Sequence, residues 1–199
     1  MRIVEWIPPV FADRAAGGRA LAPAVVALEL EDPVVVGVAR GGVAAAVEVA
    51  RELGAPLTAV DVERVEAGGR RLGAVTAHGP PFPPLPEEAL TRARRAAEAL
   101  EARLELSPPQ VAGRTAVVVD DGLVTGLTLG AACRWARAEG VARLVAAIPV
   151  GLLDGLARVR DECDVLVCPH PLEQLAVVGQ AYDSFDPLDE WYVAGLLAR

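Results

Sequence analysis

The sequence lacks several residue types, and each absence narrows the kind of protein it encodes. It contains no lysine and no asparagine, so all 19 of its Lys and Arg residues are arginine. This bias is compatible with either a thermophilic source or a GC-rich genome. The 27 acidic residues bring the net charge to −8, which argues against binding nucleic acid or an anionic membrane, because both attract basic surfaces. An anionic ligand would need a local site.

Long hydrophobic runs and metal-ligand patterns are also missing. No apolar run approaches the roughly 20 residues of a membrane span, and the first residues lack the apolar centre of a signal peptide. We therefore expect a cytoplasmic protein in which all 199 residues form one domain. We interpret the cysteines as reduced thiols, because metal-ligand spacing is absent between them and the histidines: Cys133, Cys163, Cys168, His78 and His170.

Hydrophobic patterning predicts strands and helices that alternate along most of the chain. Such alternation, with Gly-rich turns between strand and helix, indicates an α/β fold with a parallel sheet flanked by helices. Residues 66–86, rich in Gly and Pro, are predicted as a long loop or a loose hairpin. The predicted strands cover 34–38, 57–62, 115–119, 143–149 and 165–168, with a short segment at 3–7, and the predicted helices cover 13–29, 40–53, 87–106, 127–139 and 153–162.

One strand ends in a motif that carries chemistry. The apolar run Val117-Val118-Val119 is typical of a strand buried on both faces, and Asp120 and Asp121 follow it directly. Acids at the carboxyl end of such a strand lie where open α/β sheets bind ligands. The next turn aims free backbone N–H groups and a helix N-terminus at an anion. A solvated Asp-Asp-Gly turn is the alternative, but the ordered pattern favours a ribose 5-phosphate site.

This segment is similar to the motif that binds 5-phosphoribosyl 1-pyrophosphate (PRPP) in the type I phosphoribosyltransferases. That motif is an apolar strand, two acids, a short spacer and Thr-Gly-x-Thr. The resemblance implies that Asp120 and Asp121 are the catalytic acids and bind the ribose hydroxyls. It also implies a loop around the 5-phosphate, in which Leu127 stands where the family more often has Ala or Gly: Gly122, Thr125, Gly126, Leu127 and Thr128.

A second Gly-rich turn follows the first strand of the predicted sheet. Glycine there often serves only close packing, and Walker A and Gly-x-Gly-x-x-Gly patterns are absent. In the resembled family this turn binds pyrophosphate and often reads Pro-Arg-Gly-Gly, whereas this chain has Ala39 in place of the proline. The resemblance implies pyrophosphate binding by the main-chain amides of Arg40, Gly41 and Gly42, with the guanidinium adding charge.

The resemblance departs after the second strand. Relatives often carry an Arg-Lys pair there, whereas this chain has Glu63-Arg64. Because neighbouring side chains of a strand point to opposite faces, we expect Glu63 to point outward and Arg64 to point inward and bind pyrophosphate. The family closes its site with a mobile loop after this strand, so residues 66–86 are the expected lid. Its arginines and His78 are equally compatible with a flexible surface loop, and we assign no catalytic base.

The resemblance also implies a small hood built from the terminal segments, about 1–12 and 169–199. Aromatic and branched side chains there could hold a planar base, and the candidates are Val177, Val178 and Tyr182, with Phe185, Trp6 and Phe11 nearby. The implied reaction is Mg²⁺-dependent transfer of the phosphoribosyl group from PRPP to a nucleobase, with purine favoured, as in nucleotide salvage. Mg²⁺ would arrive bound to PRPP, and the enzyme would be a homodimer.

A second hypothesis is a protein that keeps the fold as a non-catalytic PRPP- or nucleotide-binding regulator. The intact phosphate loop favours the enzyme, whereas Glu63 favours the regulator because it brings negative charge toward an anionic ligand. A regulator that contacts RNA or DNA directly should also be more basic than this chain.

Overall fold

The computed structural model describes residues 9–104 and 110–198. The expected segment at 3–7, Trp6 and the last residues of the helix predicted to end at Leu106 lie outside them. Within the described residues the helices, in chain order, are α1 (Arg14–Val26), α2 (Gly41–Leu53), α3 (Glu87–Arg103), α4 (Leu127–Ala138), α5 (Leu153–Val159) and α6 (Glu190–Leu197). The strands are β1 (Pro33–Ala39), β2 (Leu57–Asp61), β3 (Glu63–Ala67), β4 (Arg70–Val75), β5 (Thr115–Val119), β6 (Arg143–Ala147), β7 (Val150–Leu152), β8 (Val165–Val167) and β9 (His170–Leu172).

Five of these strands form the central sheet that the sequence predicts. Their order is β2-β1-β5-β6-β8, and all four pairings are parallel. The valine-rich strands are buried on both faces: Val36 and Val118 pack into one core, and Val35 and Val117 into the other. The parallel strands bring the carboxyl ends of β1, β2 and β5 to one edge.

Helices cover both faces of this sheet. On one face α1 and α2 pack so closely that a Cβ on Gly18 would overlap the main-chain oxygen of Ala45. On the other face α4 and α5 bury Leu129, Trp135 and Val159 against the strands. No helix of the described residues is long and apolar enough to cross a bilayer.

The region expected as a loop or loose hairpin is partly regular. β3 and β4 form an antiparallel hairpin that begins at Glu63, before the predicted start of the loop. The segment after β4 is held by side chains from two helices. Arg94 donates to the main-chain oxygens of Thr76, Ala77 and Gly79, and Arg134 donates to that of Pro81.

The described part of the predicted hood joins both ends of the chain. Phe11 pairs with Tyr182 through main-chain hydrogen bonds, and a small parallel pair of β7 and β9 supports them. The hood was expected to include residues up to 199, but α6 does not belong to it. Val193 and Leu196 of α6 pack in a separate cluster with residues of α2, β2 and α3, since its apolar face finds a partner at the sheet's edge.

Candidate functional site

The turn between β5 and α4 forms a small cavity at the sheet edge. The cavity has a volume of about 70 Å³. Gly126 begins α4 with a left-handed φ of 76°, and no side chain caps the helix. The first N–H groups of a helix have no partner inside it, so those of α4 are available to an anion. The cavity lining consists of Asp120, the loop residues Gly122, Leu123, Val124, Thr125, Gly126, Leu127, Thr128 and Leu129, and the hairpin arginines Arg64 and Arg71.

Close packing fixes the shape of this turn. A Cβ on Gly126 would lie 2.7 Å from Val159 Cγ2 and 2.8 Å from the main-chain oxygen of Gly155. Arg158 donates to the main-chain oxygen of Thr125 over 3.1 Å. Leu127, the departure from the resembled motif, lies partly buried against the core while also lining the cavity. The larger side chain is therefore accommodated by packing with the helices behind the loop.

Asp121 is bound within the protein. Its Oδ2 accepts a hydrogen bond from Arg14 Nε at 2.8 Å, and the two side chains are only 13% and 11% exposed. The hydroxyl of Tyr182 donates to the main-chain oxygen of Asp121. Burial raises the pKa of the Asp121 carboxyl, and the Arg14 guanidinium opposes that rise. One oxygen of this acid is therefore already paired within the protein, with Arg14.

Both acids line the large cavity described below, and Asp120 is the one that also lines the small cavity. Its Oδ1 accepts a hydrogen bond from the main-chain N–H of Asp121 at 2.9 Å. Burial and the neighbouring Asp121 carboxylate raise the pKa of Asp120 well above its usual value, whereas that hydrogen bond and the Arg64 charge lower it. Asp120 lines both the small cavity and a larger one.

The turn between β1 and α2 lies directly against the two acids. A Cβ on Gly41 would overlap Asp121 Oδ2, and one on Gly42 would lie 2.6 Å from the main-chain oxygen of Val119. Glycine is therefore required here for the close approach of two turns. Arg40 is exposed at this turn, and α2, like α4, begins without a side-chain cap.

A cavity of about 740 Å³ connects these features. Its lining includes Arg40 from the turn after β1, and Asp120 and Thr125 from the turn after β5. Arg64 lines it too and also borders the phosphate loop. Glu63 lines the large cavity as well, so the expected outward orientation of Glu63 is wrong. The reason is that Glu63 stands at the first position of β3, where the chain leaves the sheet edge beside Asp61.

Asp61, at the end of β2, is a residue that the sequence analysis missed. It is 2% exposed and lines the large cavity. Burial and then the charges of Glu63 and Glu101 raise its pKa to about 7, while a main-chain hydrogen bond at Val62 and the Arg40 charge lower it. Its position at the carboxyl end of a predicted strand was the available signal, because the same rule had selected Asp120.

The hood closes the far side of the large cavity. Val177, Val178 and Phe185 line it, and Val177 is 60% exposed. Tyr182 does not line it and is 4% exposed, so the expected contact with a base is wrong for this side chain. Tyr182 instead stacks on Phe185 with ring centroids 5.1 Å apart, and the Arg14 guanidinium lies 3.7 Å from the centre of the Phe185 ring.

Comparison with known protein families agrees with this geometry. Residues 14–184 match the family model described as a phosphoribosyl transferase domain. The chain belongs to this family. The matched residues include both turns, the hairpin and part of the hood, from residue 169 to residue 184.

Two curated relatives come from Mycobacterium tuberculosis. The proteins of strains CDC 1551 / Oshkosh and ATCC 25618 / H37Rv are named "Putative phosphoribosyl transferase", and each is 34% identical over 209 residues. The match covers 96% of this chain and 47% of each relative. The chain thus spans about half the length of these members of the phosphoribosyl transferase family.

Solved structures show the same fold. The crystal structure of TT1426 from Thermus thermophilus is similar over 94% of this chain and 97% of that one, with a TM-score of 0.82 and 34% identity. A purine phosphoribosyltransferase from Pyrococcus horikoshii Ot3 covers 88% of this chain and 92% of its own, with a TM-score of 0.53 and 21% identity. The second comparison supports the phosphoribosyltransferase-like α/β fold alone.

The cavity of this phosphoribosyl transferase domain suits a cation that arrives with its ligand. Among the described residues no group of three or more His, Cys, Asp or Glu side chains could hold a metal ion. Asp61 Oδ2, however, is buried without a hydrogen-bond partner. Mg²⁺ usually binds one or two carboxylates together with substrate phosphates. The residues therefore fit Mg²⁺ shared with a bound diphosphate, which would neutralise the charge of the leaving group.

Proposed function

We propose that the chain transfers the 5-phosphoribosyl group of PRPP to a nucleobase and releases pyrophosphate. One observation carries the proposal: two uncapped helix N-termini, those of α2 and α4, flank a single cavity with Asp120 between them. Each N-terminus attracts an anion. Two anion sites on either side of an acid suit a ligand with a phosphate at one end, a diphosphate at the other and sugar hydroxyls between.

The proposed assignments follow from position. The amides of Thr128 and its neighbours in the small cavity bind the 5-phosphate, and those of Gly41 and Gly42 bind the diphosphate. Asp120 binds the ribose hydroxyls and stabilises positive charge that develops on the ring as pyrophosphate leaves. Asp121 helps to hold the turn in place, because its carboxylate already pairs with Arg14.

The base would bind under the hood. Val177, Val178 and Phe185 line that wall and provide apolar surface for a planar ring. The volume of about 740 Å³ supports a two-ring acceptor, and purine remains our preferred substrate class. Assembly as a homodimer also remains part of the proposal.

We propose that the hairpin of β3 and β4 is the lid, rather than the whole of residues 66–86. Phe82 is 5% exposed against α4, and Arg94 and Arg134 hold the chain between residues 76 and 81. At the tip of the hairpin, no neighbouring atom lies within 4 Å of the place that a Cβ on Gly68 or Gly69 would take. Hydrogen exchange in the free protein should be fast at residues 67–70 and slow at 74–76.

The test of the function is incubation with PRPP, Mg²⁺ and a panel of nucleobases. Pyrophosphate release and nucleoside 5-phosphate formation should both appear with at least one base, and Asp120→Asn should abolish them while the circular dichroism spectrum stays unchanged. The matched control Asp32→Asn removes an acid that pairs with Arg114 at the surface and should retain activity.

A non-catalytic regulator is the second candidate, and Glu63 in the cavity wall favours it. In that case PRPP or a nucleotide binds with no pyrophosphate release for any base. Calorimetric binding of PRPP in a protein without turnover would select the regulator.

A further inference from the structure

One oxygen of the most buried acid of the large cavity has no hydrogen-bond partner. Asp61 is 2% exposed, and its Oδ2 accepts no hydrogen bond in the described part of the chain. The residue still lines the cavity. Buried polar atoms in native proteins nearly always have partners, so an exception indicates a role for a bound ion, water or ligand. A carboxylate oxygen needs a hydrogen-bond donor or a cation.

The surroundings of Asp61 favour a cation. The parallel register pairs Asp61 with Ala39, which places the acid beside the turn that begins α2. Glu63 lines the same cavity, and its negative charge disfavours an ionised Asp61 carboxylate. The charge of Glu101 has the same effect. Arg40 is the nearby positive side chain whose charge acts on Asp61 in the favourable direction. Arg103 also acts on Asp61 and Glu63 but does not line the cavity, so these two acids outnumber Arg40 in the wall beside the α2 turn.

A diphosphate cannot approach this end favourably by itself. Like charges a few ångströms apart in a partly screened site repel each other and weaken binding. The free N–H groups of α2 attract the anion, while Asp61 and Glu63 repel it. A divalent cation placed between the acids and the diphosphate converts that repulsion into two attractive contacts. Mg²⁺ suits this place because it takes oxygen ligands from one or two carboxylates plus substrate phosphates.

We propose that Asp61, assisted by Glu63, is a ligand of the divalent cation that accompanies a diphosphate at the α2 turn. The chain would then hold the diphosphate through a metal ion beside Glu63, which with Arg64 stands where the resembled family often carries an Arg-Lys pair. The inference rests on the proposed function only in taking a diphosphate as the ligand of this turn.

The experiment uses the intact protein and inorganic pyrophosphate. Calorimetric titrations at pH 8 are run with Mg²⁺ and with EDTA in its place, on the wild type, Asp61→Asn and Glu139→Gln. The control removes an equal charge from an exposed residue at the far end of α4. We expect Mg²⁺ to tighten pyrophosphate binding at least about tenfold in the wild type and the control, and no more than about twofold in Asp61→Asn.

Two results would overturn the proposal. One is an unchanged Mg²⁺ advantage in Asp61→Asn, and the other is wild-type pyrophosphate binding that is as tight in EDTA as in Mg²⁺. Misfolding is not expected to obscure the result, because the amide removes an unpartnered buried charge, and thermal unfolding checks this. Mn²⁺ in place of Mg²⁺ gives an independent readout: its paramagnetic resonance signal with pyrophosphate should broaden in the wild type and not in Asp61→Asn.

These outcomes are separable from those of the proposed function. A protein that loses the Mg²⁺ advantage in Asp61→Asn but transfers no phosphoribosyl group upholds the metal ligand and rejects the reaction. Turnover of PRPP together with an unchanged Mg²⁺ advantage does the reverse.

Discussion

The two strand-to-helix turns at the sheet edge share a backbone plan and differ in charge. Each follows a buried strand and leads into a helix with no side-chain cap. The α4 turn faces two arginines of the hairpin, Arg64 and Arg71. The α2 turn has Arg40, with Asp61 and Glu63 beside it. A free helix N-terminus therefore makes a site for anions, and the strands next to it decide whether that anion binds alone or with a cation.

The topology explains the difference. β2 is the neighbour of β1, so its last residue, Asp61, ends beside the α2 turn. The chain then enters β3, and the hairpin brings Arg64 and Arg71 to the small cavity at the α4 turn. One short segment thus supplies negative charge to one turn and positive charge to the other.

The largest expected effect concerns the pH dependence of stability through Asp61. In an unfolded chain the pKa of this carboxyl is near its ordinary value of 3.8, whereas burial in the folded protein raises the pKa to about 7. Between these values the folded state binds more protons, so stability falls as pH rises. Asp61→Asn removes this loss and should raise the free energy of unfolding by about 4 kcal/mol at pH 8 and about 1–2 kcal/mol at pH 5. Urea denaturation at both pH values measures it.

Glu139→Gln is the control and should show no such pH dependence. A gain in Asp61→Asn that is equal at pH 5 and pH 8 would show that the Asp61 carboxyl is not protonated in the folded protein.

Breaking the α4 turn should have the next largest effect. Gly126→Ala places a side chain at a φ of 76° and against the main-chain oxygen of Gly155. We expect about a hundredfold loss of affinity for ribose 5-phosphate, or about 2.7 kcal/mol, measured by calorimetry. Gly140→Ala is the matched control, because its φ is 79° and no atom lies near its Cβ. It should cost similar backbone strain, yet binding should be unchanged; equal losses in both would refute a phosphate loop.

A smaller effect distinguishes Asp121 from Asp120. Asp121→Asn removes the charge that pairs with Arg14 in a mostly buried contact. We expect the free energy of unfolding to fall by about 2 kcal/mol, because the Arg14 charge is left without its partner. Asp32→Asn breaks an exposed pair with Arg114 and should cost much less, because solvent screens that pair. Similar losses in chemical denaturation would mean that the Arg14 pair contributes no more than a surface contact.

The smallest expected effect tests the positive charge beside the α4 turn. Arg64→Ala should weaken PRPP binding about tenfold, or about 1.4 kcal/mol, because one guanidinium next to a phosphate is lost. Arg70→Ala on the same hairpin is the control, since Arg70 is exposed and does not line either cavity. If the affinity of Arg64→Ala equals that of Arg70→Ala, Arg64 has no ligand role.

The sheet could be predicted from local pattern, and the contacts across the site could not. Runs such as Val117-Val118-Val119 and the glycines that end them are local signals, and the predicted strand at 115–119 matches β5. The ion pair of Arg14 with Asp121 joins residues 107 positions apart and leaves no periodic trace in the sequence. The same holds for α6, whose apolar residues do not reveal which surface they cover.

Site residues could be predicted where a charged residue stands at the carboxyl end of a strand. That rule found Asp120 and Arg40, and applied to β2 it would have found Asp61. Tyr182 was selected on other grounds, as an aromatic side chain of the implied hood, and such a ring can contact the ligand or support the wall from behind. Only the hydroxyl's contact with the main chain of Asp121 distinguishes the two.

The glycine contact between the two turns has an evolutionary consequence. Because a methyl group on Gly41 would occupy the place of Asp121 Oδ2, a substitution at either position changes which residues the other can tolerate. A larger residue at Gly41 in the α2 turn therefore requires a change at Asp121, at the end of β5. The two positions are far apart in the gene, yet they constrain each other during evolution.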